Sequence, residues 1–590
     1  MNTPPEKFGL CLSGGGFRAS LFHIGVLAAL AERELLHRVS VLSTVSGGSI
    51  IGAYYYLKVK RLLEGRRPGC PTPTPEVYRQ IVAEIERDFL AGVQKNIRLR
   101  LFLNPFRNAR MLREDYSRSD HLAELLNRHF YDAAGGEPAI ALRDIHIAPG
   151  GQSVDAEAYN AEHAYKIPIL VINATCLNTG HPWHFTGSHV GEPEPLRGFC
   201  RTVDTNTRLP ALRFDGRYHD ERHLPPQQQR RLNDRQQRKL DSLTLADAVA
   251  ASAAVPGIFP PLAIHDLYQN GAGRDIVVEL ADGGVFDNQG VDALFQHGCS
   301  HFMVSDACGQ LEDQRLLGTR FFQVAQRAND VMMDKIRSET LYRLHAGQAL
   351  QHADCNAGDA DILALRRENG VCGFALVHLR QSCSDSVDYP RLPDPVHRPE
   401  GTVYRLSGLR TDLDAFSDAE AYALMYHGYN LTHEQIGASR LAGLGLAAWQ
   451  RRPDWRFLAL RACLRDNRRL TWLHTRLKVG ARQFFRPFLL TPWQAGLRSL
   501  VLLAPLAVLL WLAGARYGDS VLLGNSGFQA ELKRLPLLRQ LRLNGGEQLL
   551  QGIVTVGAML LGLGVGLYLW LFNPLFLKDG RIGPGEGKVR

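Results

Sequence analysis

An α/β fold, a parallel sheet carrying helices on its faces and followed by a C-terminal transmembrane helical hairpin, is what this sequence predicts. Three observations carry it. Strand and helix patterns alternate over residues 8–63, glycines cluster where strands hand over to helices, and two uncharged apolar runs lie near the end.

Phe8 to Leu12 reads as a short strand, and Gly14-Gly15-Gly16 follows at once. From Phe17 to about Leu36 the spacing is helical, with Leu21, Ile24, Leu27 and Leu30 on one face. Val39 to Thr44 is a β-branched strand, Ser46-Gly47-Gly48 a turn, and Ile50 to Leu63 a helix. Glu64 to Pro75 is a Gly/Pro-rich loop, and Glu76 to Tyr131 an interrupted helical region. Within it, Ile97 to Phe106 mixes Arg98 and Arg100 with Leu99, Leu101, Phe102 and Phe106, which suits either an anionic lipid interface or a core-packed helix end. Ile167 to Ala174, Ile276 to Leu280 and His301 to Val304 read as further strands. Pro225 to Lys239, rich in Gln and Arg, reads as an exposed loop, and Leu245 to Ala254 as a small-residue helix stopped by Val255-Pro256-Gly257. From about 310 to 445 the pattern is mixed and carries no assigned chemistry.

The 590 residues are 45% hydrophobic and 22% charged, an ordinary globular composition long enough for more than one domain. The net charge of +9 is local in origin. Twelve Lys/Arg lie between Arg451 and Arg498 against Asp454 and Asp466, just before an apolar run. That placement points to a membrane surface and away from nucleic acid. The ten cysteines form no C-x-x-C pair, so neither zinc spacing nor a dense disulfide framework is expected, and most read as buried thiols in a reducing compartment. Acidic residues lack calcium-loop spacing, and no metal or cofactor is expected. The opening residues have no basic stretch followed by an apolar one, so a cleaved signal peptide is not expected.

Ser499 to Ala515 is 17 residues without a charge and Gly552 to Phe572 is 21, against the roughly 20 that span a bilayer. Pro505 in the first is tolerable in a membrane helix. Buried core helices are the alternative, and the absence of a polar face with basic residues on both flanks favours membrane spans. By the positive-inside rule the N-terminal part and the C-terminal tail then share the cytoplasmic side.

Four segments carry chemistry. In Ser13 to Arg18, SGGGFR, a glycine loop opens a helix, so backbone N–H groups and the helix N-terminus favour an anion. Such a loop would serve a phosphate equally well, although no Gly-Lys-Ser/Thr follows. In Thr44 to Ser49, TVSGGS, Ser46 sits on a strand-to-helix turn with Gly48 two residues after it, the logic of a nucleophile elbow. The residue two before is Thr44 instead of glycine. Taken alone, Ser46 reads first as a helix N-cap. Ala251 to Leu262, ASAAVPGIFPPL, offers no reactive group. In Ala281 to Gly290, ADGGVFDNQG, Asp282 follows a strand and precedes two glycines, a β-turn in isolation and, where desolvated, a stronger base. Asp287, Asn288 and Asp306 read as loop-shaping. His23, His297, His301 and His378 lie in no recognisable triad signature.

Together, SGGGFRASLFHIGVL, STVSGGSI, INATCLNTG, ASAAVPGIFPPL and DGGVFDNQGV, in that order, resemble the patatin-like phospholipase family. The resemblance implies a three-layer α/β/α fold and a Ser–Asp dyad in place of a triad. By position it makes Ser46 the nucleophile, Asp282 the base, and Gly14, Gly15 and Gly16 the oxyanion loop, with Arg18 in the family's arginine position and Gly48 in support. The substrate class it implies is membrane phospholipid or a related fatty-acyl ester. An acyltransferase on the same dyad, or a catalytically silent membrane scaffold, are the alternatives. The expected organisation is a catalytic domain over 1–445 with its motif-bearing core at 8–310, a basic juxtamembrane region at 446–498, a membrane hairpin at 499–572 and a basic tail at 573–590.

Overall fold

The computed structural model describes residues 6–69, 72–103, 116–132, 139–194, 208–214, 226–270, 272–309, 318–352, 370–383, 401–439, 455–483, 486–497 and 564–582, with a few single positions between them. Ten strands form one sheet: β1 (Phe8–Leu12), β2 (Val39–Val45), β3 (Ile169–Cys176), β4 (Pro182–Phe185), β5 (His189–Gly191), β6 (Leu212–Arg213), β7 (Leu262–Gln269), β8 (Asp275–Asp282), β9 (His301–Asp306) and β10 (Gly373–His378). The neighbours β10, β9, β1, β2 and β3 are mutually parallel. β4 and β8 then join β3 antiparallel, and β7 pairs with β8.

Period-two alternation along these strands feeds two separate cores. Leu10, Leu12, Leu42, Leu170 and Ile172 enter the larger one, beside the helices α1 (Gly16–Glu32), α2 (Gly47–Leu63) and α3 (Pro75–Val93). Cys11, Val41, Val171, Phe302 and Val304 enter the other, with Val291, Leu294 and Leu344. Helical residues therefore cover both faces of the sheet, which is the three-layer α/β/α arrangement expected from the sequence.

Parallel pairing brings the C-terminal ends of β1, β2 and β9 to one edge, since Leu12 lies opposite both Thr44 and Ser305. β8 runs the other way against β3, and Asp282 lies opposite Ala174. Its last residue thus arrives at the same edge as the turn after β2. This is how residues 46 and 282 meet.

Several expectations are corrected. Pro226–Ser242 is a helix, α6, where an exposed loop was read; α4 (Ile97–Leu103) and α5 (Arg118–Leu126) precede it. The mixed stretch after 310 holds β10 and two long helices, α8 (Phe321–His352) and α9 (Asp418–Ala438), the latter after α7 (Leu245–Ser252) and α8 in chain order. The lipid-facing reading of Ile97 to Phe106 also fails for its described part. Ile97 and Leu101 are buried, and Arg98 bonds to Asp412 and Asp414. The Phe102 side chain and Phe106 lie outside the described residues. Trp455, Phe457, Leu473, Leu477 and Ile582 join the larger core, so chain on both sides of the apolar runs packs into it. Of those runs, all of the first but Ser499, and 552–563 of the second, lie outside the described residues. Among the described residues no helix is long and apolar enough to cross a membrane.

The α1–α9 crossing is unusually close. A Cβ on Gly25 would lie 1.9 Å from the Met425 carbonyl oxygen, and one on Gly428 would lie 2.4 Å from that of Phe22. Gly-to-Ala in a helix interior ordinarily stabilises by about 1 kcal/mol. Here Gly25→Ala should instead destabilise by about 1–3 kcal/mol, because two packed backbones must separate. Urea unfolding measures it, and a stabilised Gly25→Ala would contradict the crossing.

Candidate active site

The turn after β2 is strained in a specific way. Ser46 has φ 51° and ψ −119°, a conformation that costs a non-glycine residue on the order of 1–3 kcal/mol. Local bonds offset it. The Ser46 N–H donates to Ser252 Oγ at 2.9 Å, and its carbonyl accepts from Ser49 and Ile50 at the start of α2. The next two residues must lack side chains: a Cβ on Gly47 would lie 2.0 Å from the Gly16 carbonyl oxygen, and one on Gly48 would lie 2.1 Å from that of Leu12. The elbow is thus pressed onto the glycine loop, and the role of Gly48 is this close approach.

Thr44, the departure from glycine two residues before the serine, is accommodated by a second substitution of size. Its Cγ2 stands 2.4 Å from where a Cβ on Gly52 would be, so Gly52 makes room for the methyl group. The Thr44 hydroxyl donates to the Val171 carbonyl at 3.2 Å and accepts from Ser49 Oγ at 3.1 Å. Ser49 in turn bonds Ser252 at 2.8 Å. Thr44, Ser49 and Ser252 form a buried hydroxyl chain that ends on the Ser46 N–H.

Asp282 is 5% exposed. Its Oδ1 accepts from the Gly284 N–H at 2.7 Å, whereas Oδ2 is buried with no hydrogen-bond partner among the described residues. Burial pushes the carboxyl up to about 6, and the Ser46 hydroxyl, followed by the Gly284 N–H, opposes that rise. Ser46 therefore faces the carboxylate closely enough to be felt electrostatically while standing outside strict hydrogen-bond geometry, as catalytic pairs without substrate commonly do. The Asp282 N–H donates to the Ala254 carbonyl at 2.9 Å and the Gly283 N–H to that of Ser252 at 3.3 Å. The ASAAVPGIFPPL segment, chemically silent in sequence, thus ties Asp282 to Ser46. Its one hydroxyl residue, Ser252 in a run of alanines, was the available signal.

The glycine loop divides its labour. Gly14 abuts Ser46, since a Cβ there would lie 3.1 Å from Ser46 Cβ, but its N–H is taken by the Asn288 carbonyl at 3.1 Å. It supplies space and no donor, which corrects its expected place among the oxyanion donors. The N–H groups of Gly15 and Gly16 have no partner among the described residues. Arg18 is buried and faces no solvent; its Nη1 donates to the Ser407 and Leu409 carbonyls and its Nη2 to that of Ala307, at 2.9, 2.9 and 3.0 Å. It orders the loop. Burial lowers its guanidinium to about 10.

The histidines stand elsewhere. His23 is held between Ser305 Oγ and the Ser13 carbonyl, at 2.7 and 3.0 Å, and burial lowers it to about 4. His378 lies 4.0 Å from Asp306, not from Asp282. Asp287 shapes its loop as expected, accepting from the N–H groups of Gln289, Gly290 and Asp292. Among the described residues no cluster of His, Cys, Asp or Glu is arranged to hold a metal ion.

A strained serine turn, a buried carboxylate beside it and a glycine loop whose Gly15 and Gly16 N–H groups have no partner among the described residues together have the make-up of a serine hydrolase-class site on an α/β/α scaffold. Residues 10–295 match the Patatin family model, described as patatin-like phospholipase, and the chain carries a domain of that family over that span. No curated protein sequence matches the chain. Among solved structures, human GIVD cytosolic phospholipase A2 in complex with methyl γ-linolenyl fluorophosphonate is similar at 14% identity and a TM-score of 0.35, over 73% of this chain and 57% of that one. VipD from Legionella pneumophila is similar at 12% identity and a TM-score of 0.24, over 95% and 86%. Both likenesses are too distant to bear on mechanism.

The buried carboxyl makes a stability prediction with a definite sign. Its folded value, about 6, lies above the ordinary 3.8. Ionised Asp282 therefore destabilises the fold above about pH 6, by on the order of 3 kcal/mol, and the penalty fades as pH falls toward 3.8. Asp282→Asn should melt higher than wild type at pH 8 and nearly level with it at pH 4. A difference independent of pH would contradict the buried charge.

Proposed function

We propose that this protein is a membrane-associated lipid acyl hydrolase that cleaves fatty-acyl esters through an acyl-serine on Ser46. The observation that carries the reading is the Asp282 carboxylate, buried beside Ser46 with Oδ2 unpartnered among the described residues. A serine hydroxyl is a poor nucleophile until a base removes its proton, and Asp282 is the placed acceptor. Its raised affinity for that proton narrows the gap to the hydroxyl.

In this reading Oδ2 takes the proton as Ser46 Oγ attacks the ester carbonyl. The resulting oxyanion is received by the Gly15 and Gly16 N–H groups at the start of α1, a type of contact worth about 3–4 kcal/mol per donor. Collapse breaks the ester C–O bond, and Asp282 returns the proton to the leaving alcohol. Water, deprotonated in turn by Asp282, attacks the acyl-serine; the Ser46 Oγ–acyl bond breaks, Asp282 returns the proton to Ser46 Oγ, and the fatty acid leaves. The family of the 10–295 domain supports a lipid ester as substrate.

Two features of the described flanks support membrane attachment through the apolar runs. Phe488, ahead of the first run, stacks on Phe572 at the end of the second, with ring centroids 5.2 Å apart. The chain thus leaves and returns at one place, as a hairpin requires. Trp493 and Trp570 are 91% and 72% exposed there, at positions suited to the headgroup level. The basic flanks favour a cytoplasmic catalytic domain, although Arg486 is buried and its charge is spent inside the protein.

Product analysis tests the reaction. Mass spectrometry after incubation with a mixed lipid extract should show free fatty acid and the matching deacylated lipid with wild type, and neither with Ser46→Ala. Equal products from Ser46→Ala would reject the nucleophile, and acyl groups appearing on new alcohols would make the protein a transacylase.

Topology has its own test. In a cysteine-free variant, a cysteine placed between 516 and 551 should react with an impermeant thiol reagent in intact cells, and one near Lys588 only after permeabilisation. Labelling of both in intact cells, or extraction of the whole protein by alkali, would reject the hairpin.

A further inference from the structure

The oxyanion loop does not hold itself. The Phe17 N–H donates to the Asp412 carbonyl at 3.1 Å, Gly16 lies so near that an added Cβ would sit 2.7 Å from the carbonyl oxygens of Thr411 and Asp412, and Arg18 grips the carbonyls of Ser407 and Leu409. These contacts, which add to the bonds from Arg18 Nη2 to the Ala307 carbonyl and from the Gly14 N–H to the Asn288 carbonyl, come from residues 407–412. That short segment is irregular after Ser407 and has no strand or long helix of its own to fix it.

What fixes it is a buried cluster of charges. Arg98 on α4 reaches Asp412 at 2.6 Å and Asp414 at 2.8 Å. Arg410 reaches Glu420 on α9 at 2.6 Å and the Gly480 carbonyl at 2.7 Å. Arg486, on the helix α11 (Arg486–Leu490) that follows α10 (Asn467–Gly480), binds Asp414 and donates to the Ala415 carbonyl at 3.2 Å. Three guanidiniums face three carboxylates. Burial alone would raise the Asp414 carboxyl, and Arg486, Arg410 and Arg98 together hold it below its ordinary value.

The same cluster receives both ends of the apolar runs. Arg486 lies ahead of the first run. Its guanidinium covers the ring of Phe576, 4.2 Å away, on α12 (Asn573–Asp579) just after the second. Further bonds seat α12: Asn573 Nδ2 to the Gln94 carbonyl at 3.3 Å, Arg476 to Asp579 at 2.9 Å, and the Ala419 N–H to the Gly580 carbonyl at 2.9 Å.

We infer that residues 407–414 are a clamp that sets the oxyanion loop, that the helices bracketing the apolar runs lock this clamp through Arg486 on Asp414, and that Arg98 of α4 completes the lock on Asp412 and Asp414. These four are positioning residues; none touches the reacting atoms. The inference rests on the reading of Gly15 and Gly16 as oxyanion donors, and it makes catalysis depend on how the C-terminal segment is seated.

The test uses the full chain with Arg486→Met, and with Arg98→Met as a less buried second variant in case the first fails to fold. Two readouts are taken on folded protein: amide hydrogen exchange over residues 14–20 against 39–45, and hydrolysis of a water-soluble short-chain ester, which needs no bilayer. Exchange over 14–20 should quicken about 10-fold or more while β2 stays as in wild type. The kcat should fall about 10- to 100-fold at nearly constant KM, since a loop displaced by a fraction of an ångström misaligns its donors. Arg486→Lys should recover much of both. Wild-type exchange over 14–20 in a folded variant, or quickened exchange with wild-type kcat, would overturn the clamp. Quickened exchange in a protein whose wild type hydrolyses no ester would instead retain the clamp and reject the hydrolase reading.

Discussion

A carboxylate held inside the protein with one oxygen unpartnered among the described residues is the constraint on which this site depends. Water would stabilise Asp282 as an ion and leave it a weak base; burial raises it to about 6 and reserves Oδ2. Keeping it there takes support from three directions. Gly284 fixes Oδ1, Ala254 takes the Asp282 N–H, and Thr175 Oγ1 donates to its carbonyl at 2.9 Å. The charge is costly to the fold, and such local conflict between stability and chemistry is what marks an active site within an otherwise consistent structure.

The sheet explains why Ser46 and Asp282 can serve one another across more than two hundred residues of chain. Parallel strands deliver their following turns to a single edge, where helix N-termini and unpaired N–H groups also gather. β8 reaches that edge by running antiparallel to β3, so its terminal aspartate enters the turn region from the side opposite the glycine loop. The elbow then needs only small residues to close the gap. Gly47 and Gly48 bring the Ser46 backbone against Gly16 and Leu12, and Gly52 absorbs the extra bulk of Thr44.

Much of this was legible as local pattern. Phe8–Leu12 has the bounds read from sequence, and β2 extends the reading by one residue, to Val45. Ser46 and Asp282 were visible because each follows a strand and precedes small residues. The parts that stayed hidden depend on distant partners or lack a period. Ser252 finds its acceptor role 206 residues from Ser46. α9 is buried nearly all round, from Ala419 through His433, so it shows no polar face to mark it as a helix. α6 fails the opposite way, being polar along most of its length. Arg98 looked like a lipid-facing cation, because a sequence does not reveal that Asp412 and Asp414 wait for it across the fold. Gly14 has the right residue type for an oxyanion loop, and only the bond to Asn288 shows that its donor is already engaged.

The most direct test of Asp282 as the base for Ser46 is the pH dependence of labelling by a fluorophosphonate probe, with the labelled serine identified by peptide mapping. Wild type should label at Ser46, at a rate that rises with pH through about 6 and then levels. Asp282→Asn, with the fold intact, should label slower by orders of magnitude and without that inflection. An inflection near 6 that survives in Asp282→Asn, or labelling at a serine other than Ser46, would contradict the account.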